Sequence, residues 1–419
     1  MSPDSTHTGV AAILRSGIYS VCSAHPWVIE AALVHAAATG QTALIEATCN
    51  QVNQDGGYTG VTPAGFRKEV ESIAQRVGFP LERLLLGGDH LGPHPWAAQG
   101  ADVAMTKAEE MVRLYVQAGF VKIHLDASMP CAGEKAPLAD DVIAERAARL
   151  CVAAESVRGA NSLYYVIGTE VPTPGGALEE EPQLTVTHPE AAVNAINTHR
   201  DAFARAGLDD VWERVIALVV QPGVEFANDH IHDFVPEEAT ALTQLLTSYP
   251  GLIYEAHSTD YQRPETFVQL VRGGFRILKV GPGLTYAMRQ ALYALETIEQ
   301  ELLPVEKRSQ LRKTMEALMI KQPGSWKSHY HGSEETLRIE RVHSYSDRIR
   351  YYWNALEAQK AVDTLVANLR AVRVPETMLS DYLPQQYAKI RRGELQTDPV
   401  AIVIDSIREA LRPYSDAVA

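Results

Sequence analysis

Residues 84–91 of this 419-residue chain read LLLGGDHL, an apolar run that ends in the polar pair Asp89-His90. Seven further short runs of apolar or β-branched residues also end in polar residues, and a helix-like segment follows each run. Strands that alternate with helices in this way are typical of βαβ units, in which helices connect the parallel strands of one sheet. The eight runs are residues 18–25, 43–50, 84–91, 122–128, 164–171, 217–224, 252–258 and 276–283.

The number of repeats indicates which parallel fold the chain adopts. Eight strand-and-helix units over about 270 residues match the length of a (β/α)8 barrel. A doubly wound open sheet is the alternative, but no Gly-x-Gly-x-x-Gly or Walker-type loop follows any of the runs. The sequence therefore predicts an α/β fold, a (β/α)8 or TIM barrel.

Beyond residue 285 the alternation stops. Apolar residues at helical spacing predict helices over residues 286–303, 304–320 and 349–369. We therefore expect a barrel formed by residues 1–285 and a mostly helical C-terminal extension, residues 286–419, that packs on the barrel.

Composition and charge exclude several classes of protein. The chain has 38 Lys and Arg residues against 52 Asp and Glu residues, a formal net charge of −14. Nucleic-acid and anionic-membrane surfaces need a basic excess, so neither partner is expected. No run approaches the roughly 18 apolar residues of a membrane span, and the polar N-terminus does not resemble a signal peptide. Four cysteines without a Cys-x-x-Cys pair favour a reducing, cytoplasmic location.

Polar residues at the ends of the predicted strands indicate a functional site. In a TIM barrel, catalytic groups come from the carboxyl ends of the strands. A charge is costly to bury unless it is paired or bound to a metal, so a whole ring of acids and histidines at this end predicts chemistry there. Any one of these residues alone has a simpler explanation as a cap of the following helix.

Two chemical roles follow from the residue types. Imidazole and carboxylate ligands suit Zn, Mn, Ni or Co, and His90, Glu170 and His257 are the candidate ligands of a divalent metal ion. The alternative is that the two histidines are hydrogen-bonded core residues. Asp89 and Asp126, together with Glu170, are the candidate catalytic acids and bases, although Asp89 alternatively only orients a neighbour.

Substrate contacts are predicted from amides, carboxylates and glycines near the same strand ends. The candidates for binding sugar hydroxyls are Glu46, Asn50, Gln51, Gln221 and Glu255. Loops after strands seven and eight of a barrel commonly hold phosphate. The candidates there are Ser258, Lys279, Gly281 and Gly283, with Arg348 and Arg350 as charge partners. A tight turn explains the two glycines equally well, and Lys279 has a Schiff base as its alternative role.

Several long strings of sequence resemble the GatZ/KbaZ family, and the resemblance covers nearly the full length. They include IEATCNQVNQDGGYTG at residues 45–60, GGDHLGP at 87–93, EAHSTDYQ at 255–262 and YSDRIRYYW at 345–353. This family is named as the second subunit of class II tagatose-1,6-bisphosphate aldolases. The resemblance implies a TIM barrel that works on ketose phosphates in tagatose or galactitol catabolism.

The resemblance implies two different functions. Some members are metal-dependent 4-epimerases of tagatose and fructose phosphates or of the free ketoses. For this chain, inversion of C4 is then expected to proceed by retro-aldol cleavage and re-addition or by proton or hydride transfer. Other members are non-catalytic subunits that stabilise a separate class II aldolase. The expected partners are therefore a ketose phosphate with an undetermined number of phosphates, a class II aldolase subunit, and further copies of the chain.

Comparison with catalytic class II aldolases adds one departure. Their strand-three Asp-His pair matches Asp89 and His90, and their strand-seven histidine matches His257. Their strand-six histidine is a metal ligand, and Gln221 takes its place here. Because glutamine is a poor ligand for the same metal, the resemblance does not imply ordinary aldolase turnover.

Overall fold

The computed structural model describes residues 3–160, 162–169 and 184–419. Eight parallel strands close into a barrel, and the polar residues after them share one end of it. The strands are β1 (Ile18–Val21), β2 (Ala43–Thr48), β3 (Leu84–Leu91), β4 (Lys122–Leu125), β5 (Tyr164–Ile167), β6 (Val215–Val220), β7 (Glu225–Phe226), β8 (Ile231–His232), β9 (Ile253–Ala256) and β10 (Phe275–Val280). The short strands β7 and β8 form a separate antiparallel hairpin.

Pairing around the sheet confirms the predicted (β/α)8 barrel. Strand β1 pairs in parallel with β2 on one side and with β10 on the other, so the sheet has no free edge. This closure excludes the doubly wound open sheet. Each of the eight apolar runs overlaps one barrel strand, and β6 and β10 begin one or two residues before the predicted runs.

Helices surround the barrel and continue beyond it. They are α1 (Pro3–Ser16), α2 (Pro26–Thr39), α3 (Pro63–Val77), α4 (Ala101–Gln117), α5 (Asp140–Glu155), α6 (Pro189–Arg205), α7 (Thr240–Leu245), α8 (Pro264–Arg272), α9 (Pro282–Leu302), α10 (Leu311–Lys321), α11 (Glu334–His343), α12 (Leu356–Ala371), α13 (Glu376–Tyr382), α14 (Pro384–Arg391) and α15 (Pro399–Ala417). None of the described helices is both long and apolar enough to cross a membrane.

Local sequence explains where these helices begin and end. Proline occupies the first turn of α2, α3, α6, α8 and α9, where its missing N–H has no intrahelical partner to lose. The Thr62 side chain accepts a hydrogen bond from the Gly65 N–H at the start of α3. Gly78 ends the same helix with φ of 70°, a left-handed conformation that glycine adopts without strain.

The C-terminal helices pack against the barrel. Helix α15 lies against α2, α8 and α9, and the Tyr414 hydroxyl donates to the Thr259 carbonyl at 2.9 Å. The helical character expected for this part of the chain is confirmed, with α9, α10 and α12 in the predicted stretches. Helix α9 follows the last barrel strand directly, and a domain boundary at residue 285 stays a prediction.

Apolar side chains fill the amino-terminal end of the barrel. Leu14 of α1 is fully buried there against Ile18, Leu44, Leu85 and Ile277. Polar side chains occur in the layers nearer the carboxyl end, where Glu46, Lys122 and Glu255 are fully buried. The fold therefore separates a stabilising end from an end that carries charge.

Gly92, just after β3, lies close against the backbone that follows β4. A Cβ atom at this position would lie 1.6 Å from the Asp126 carbonyl oxygen, which is backbone and unable to move aside. Gly92→Ala is therefore expected to lower the free energy of unfolding by about 3 kcal/mol or more.

Denaturant unfolding measures this loss, and Gly324→Ala is the matched control. Nothing lies within 4 Å of a Cβ at Gly324, so its effect should stay within about 0.5 kcal/mol. Equal stability of the two variants would contradict the close strand contact.

Candidate metal centre and active site

A cavity opens at the carboxyl end of the barrel strands. It brings together residues that the sequence analysis selected from distant parts of the chain: Asn50, Gln51, Asp89, His90, His257, Ser258, Lys279, Gly281 and Arg350. Residues from the ends of several different strands therefore meet in one cavity.

Three histidines and an aspartate form a compact cluster in this end of the barrel. One nitrogen or oxygen from each of Asp89, His90, His124 and His257 lies within 4.8 Å of the others, and all four residues are buried. The His90 ring centroid is 5.1 Å from that of His124 and 4.8 Å from that of His257. Such a set of imidazole and carboxylate groups is a typical donor set for Zn, Co, Ni or Mn.

Asp126 orients His90 within the cluster. The Nδ1 atom of His90 lies 2.8 Å from Oδ2 of Asp126, which leaves Nε2 as the ring nitrogen for a metal ion. The other oxygen of Asp126 accepts hydrogen bonds from the backbone N–H and the hydroxyl of Ser128. Asp126, which was predicted as an acid or base, thus contacts the candidate metal ligand His90 and orients its ring.

Glu255 orients His257 in the same manner. Nε2 of His257 lies 2.9 Å from Oε1 of Glu255, so Nδ1 is left for the cluster. Burial lowers the pKa of His257 to about 4, against the opposing effect of Glu255. The ring is therefore neutral at pH 7, which is the state that binds a metal ion.

His124 completes the cluster, and the sequence analysis missed it. Its Nδ1 lies 3.1 Å from Oδ1 of Asp89 and 3.2 Å from the backbone nitrogen of His90. A ring nitrogen is either an acceptor or a donor, so Nδ1 of His124 is unable to accept from the His90 N–H and donate to the Asp89 carboxylate at the same time. Nε2 is buried without a hydrogen-bond partner in the described residues. Both features fit a bound cation, because unpaired buried polar atoms are costly.

Beside the cluster lies a buried network of charges. The Lys122 ammonium is 2.7 Å from Glu46 and 2.6 Å from Glu255, and all three side chains are fully buried. Lys279 contacts Glu46 and lies 2.7 Å from Oδ1 of Asp89. Burial alone would raise the pKa of Asp89, but His90 and Lys279 hold it well below its ordinary value.

The network includes two of the predicted substrate contacts. Glu46 and Glu255 are not among the residues that line the cavity, and their carboxylates are ion-paired with the buried lysines. Gln221, the third such prediction, accepts hydrogen bonds from the N–H groups of Gly223 and Val224 and stabilises its own turn. Glu170, predicted as a ligand and catalytic group, lies outside the described residues.

Some of the predicted phosphate-binding residues line the cavity in the structure, and others lie elsewhere. Ser258, Lys279, Gly281 and Arg350 line the cavity, and Gly283 lies in the first turn of α9. Arg348 instead donates to the Ser325 carbonyl at 2.9 Å and lies 2.8 Å from Nδ1 of His329. A residue that the sequence analysis did not select, Asp260, also lines the cavity.

Lys122 offers a test of the charge network. Lys122→Met leaves Glu46 and Glu255 buried without this partner, so we expect a loss of about 3–5 kcal/mol in the free energy of unfolding. The double variant Lys122→Met/Glu255→Gln should lose less than the two single variants together.

The control is the exposed pair Arg392–Glu394, in which the side chains are 55% and 53% exposed. Glu394→Gln should change stability by less than about 1 kcal/mol. A similarly small effect of Lys122→Met in denaturant unfolding would contradict the network.

Metal content tests the cluster independently of any activity. The full chain incubated with Zn²⁺, Mn²⁺, Co²⁺ or Ni²⁺ and dialysed should retain metal, as measured by elemental mass spectrometry. His124→Ala removes one imidazole and should lower the affinity at least about tenfold. His331→Ala, at an exposed histidine, is the control and should bind as the wild type does. Equal retention by both variants would remove His124 from the site.

Comparison with known proteins agrees with this architecture. The chain matches, at residues 9–419, the family described as D-tagatose-1,6-bisphosphate aldolase subunit GatZ/KbaZ-like. A crystal structure of a probable tagatose 6 phosphate kinase from Sinorhizobium meliloti 1021 is 48% identical, with a TM-score of 0.89 over 96% of this chain and 100% of that one. Fructuronate-tagaturonate epimerase UxaE from Cohnella laeviribosi shares the fold at 12% identity, with a TM-score of 0.53 over 97% of this chain and 82% of that one. The chain therefore belongs to the GatZ/KbaZ-like family.

Proposed function

We propose that the chain is a metal-dependent 4-epimerase that interconverts tagatose and fructose, either as phosphates or as the free ketoses. The observation that carries this proposal is the cluster of His90, His124 and His257 beside the ionised Asp89, at a cavity lined by the polar side chains of Asn50 and Gln51. The family description and the name of the 48% identical relative both refer to tagatose phosphates, which supports the substrate class.

The cluster contains a third imidazole although no histidine stands at the end of β6. Class II aldolases, which the strand-three and strand-seven residues resemble, have a metal-ligating histidine where Gln221 stands. His124, on β4, supplies a third imidazole to the cluster in its place. His90, His124 and His257 would hold the metal ion, and Asp126 and Glu255 would orient two of them. When bound, a divalent metal supplies a Lewis acid that polarises the ketone.

Asp89 is the proposed acid and base at C4. Its carboxylate is ionised, so it accepts the C4 hydroxyl proton while the C3–C4 bond breaks and its electron pair passes to the ketone half. Rotation of the aldehyde and re-addition, with return of the proton from Asp89, then give the opposite configuration. Transient removal of a proton or hydride at C4 is the alternative route.

Other residues of the cavity would hold and orient the sugar. Asn50 and Gln51 line it, and the Gln51 amide is fixed by the Thr48 N–H at 2.9 Å and by the Cys22 carbonyl at 3.3 Å. Lys279 lies between Asp89 and Glu46, where it keeps Asp89 in its charged form. This position argues for an electrostatic role of Lys279 and against a Schiff base, which needs an uncharged amine.

The second candidate function is a non-catalytic subunit that stabilises a class II aldolase. The family description as an aldolase subunit favours it, and Gln221 departs from the aldolase ligand set. A pure scaffold, however, has no use for a buried cluster of histidines next to an ionised carboxylate, because such groups are costly to bury.

Turnover by the chain alone distinguishes the two functions. Tagatose 6-phosphate, tagatose 1,6-bisphosphate and free tagatose would each be incubated with Mn²⁺, Zn²⁺ or Ni²⁺ and then with EDTA, and followed by ¹³C NMR. The 4-epimerase predicts metal-dependent appearance of the fructose epimer of at least one substrate. Neither epimer nor triose products from a folded, metal-loaded sample would favour the subunit.

Asp89→Asn tests the proposed proton transfer. The variant keeps the size of the side chain but removes the basic oxygen, so turnover should fall at least about 100-fold. Circular dichroism and metal content establish that the variant is folded and loaded.

Asp363→Asn is the matched control, because this exposed aspartate of α12 lies outside the cavity and should leave turnover unchanged. Turnover of Asp89→Asn close to that of the wild type would remove Asp89 from the mechanism.

A further inference from the structure

The N-terminus of α9 is a place where TIM barrels commonly bind phosphate, and here a side chain of the protein occupies it. Helix N-termini attract anions through their unpaired N–H groups. Oδ1 of Asp260 accepts hydrogen bonds from the N–H of Gly281 at 3.0 Å and of Gly283 at 2.7 Å. Two backbone donors that a bound phosphate would use are therefore already satisfied.

Asp260 is held firmly in this position. Asp260 is only 2% exposed, and hydrogen bonds hold both the hydroxyl and the carbonyl group of the preceding Thr259. The Thr259 hydroxyl donates to the Lys279 carbonyl at 2.6 Å, and its own carbonyl accepts from Tyr414. A Cβ at Gly283 would approach the Asp260 carboxylate to 2.9 Å, so the close contact requires glycine.

The carboxylate is charged at neutral pH. Burial raises the pKa of Asp260 to about 6, while the two N–H groups and Arg350 favour the anion. Lys279 and Arg350 are the two lysine or arginine side chains that line the described part of the cavity. Lys279 is ion-paired with Asp89, and Arg350 stabilises the anion of Asp260. The charges of Lys279 and Arg350 are therefore matched by those of Asp89 and Asp260 in the same cavity.

We propose that Asp260 is a specificity-determining residue that excludes a phosphate from the sugar end lying against α9. The substrate is then a free ketose or a ketose monophosphate and not a bisphosphate, because two anions side by side repel each other. The end against α9 is an uncharged hydroxymethyl group, whose hydroxyl is able to donate to a carboxylate. This inference rests on the proposed ketose site and narrows its substrate class.

Binding of hexitols tests the inference without turnover, because hexitols have no ketone to react. The metal-loaded full chain would be titrated calorimetrically with glucitol, glucitol 6-phosphate and glucitol 1,6-bisphosphate. We expect the wild type to bind the monophosphate at least about tenfold more tightly than the bisphosphate. Asp260→Asn keeps an oxygen acceptor but removes the charge, so this preference should shrink at least about tenfold.

Two further variants complete the design. Asp260→Ser removes the carboxylate from the α9 N-terminus and leaves a shorter side chain. This variant takes the place of Asp260→Asn if Asp260→Asn fails to fold. Asp363→Asn removes one exposed charge elsewhere and should keep the wild-type preference. Tighter binding of the bisphosphate by the wild type, or an unchanged preference in folded Asp260 variants, would overturn the inference.

The remaining outcomes separate this inference from the proposed function. If the chain binds the monophosphate more tightly than the bisphosphate but epimerises no ketose, the role of Asp260 is supported and the 4-epimerase is contradicted. Absence of binding by all three hexitols would overturn both.

Discussion

The balance of buried charge is the constraint on which the centre of this barrel depends. Two ammonium groups, of Lys122 and Lys279, face four buried carboxylates, of Glu46, Asp89, Asp126 and Glu255. Two negative charges remain to be balanced by the histidines or by a bound cation, because an uncompensated buried charge is costly. A divalent ion held by the histidines beside Asp89 would balance them. The residues of the candidate metal centre thus also take part in the charge balance of the barrel interior.

The order of strands in the barrel was predictable because it follows from simple physical preferences. Apolar runs of strand length, separated by amphipathic segments, leave few arrangements other than a closed parallel sheet. The hairpin of β7 and β8 was not predicted, since strands of two residues each are too short to show an alternating pattern. The prediction therefore missed strands that are too short to show an alternation of apolar and polar residues.

The candidate site was predictable in location and only partly in detail. Strand-end polarity identified Asp89, His90 and His257, because the carboxyl ends of parallel strands converge. His124 lies inside the four-residue strand β4 and Lys122 at its beginning, so a rule that reads strand ends overlooks both. Asp260 was missed for another reason. Its contact with Gly281 and Gly283 is made across two loops, and no spacing along the chain indicates which anion a helix N-terminus will meet.

The hydrogen bond from Tyr414 to Thr259 has a consequence for biosynthesis. It connects the last helix of the chain to the loop that carries Asp260, and β1 reaches its partner β10 only after some 280 residues have been made. A ribosome releases the chain from its N-terminus onwards, so β1 pairs with β2 early, whereas the barrel closes only once β10 has been made. The loop that carries Asp260 therefore gains this support only after Tyr414 has been made, and a chain that stops before Tyr414 lacks it.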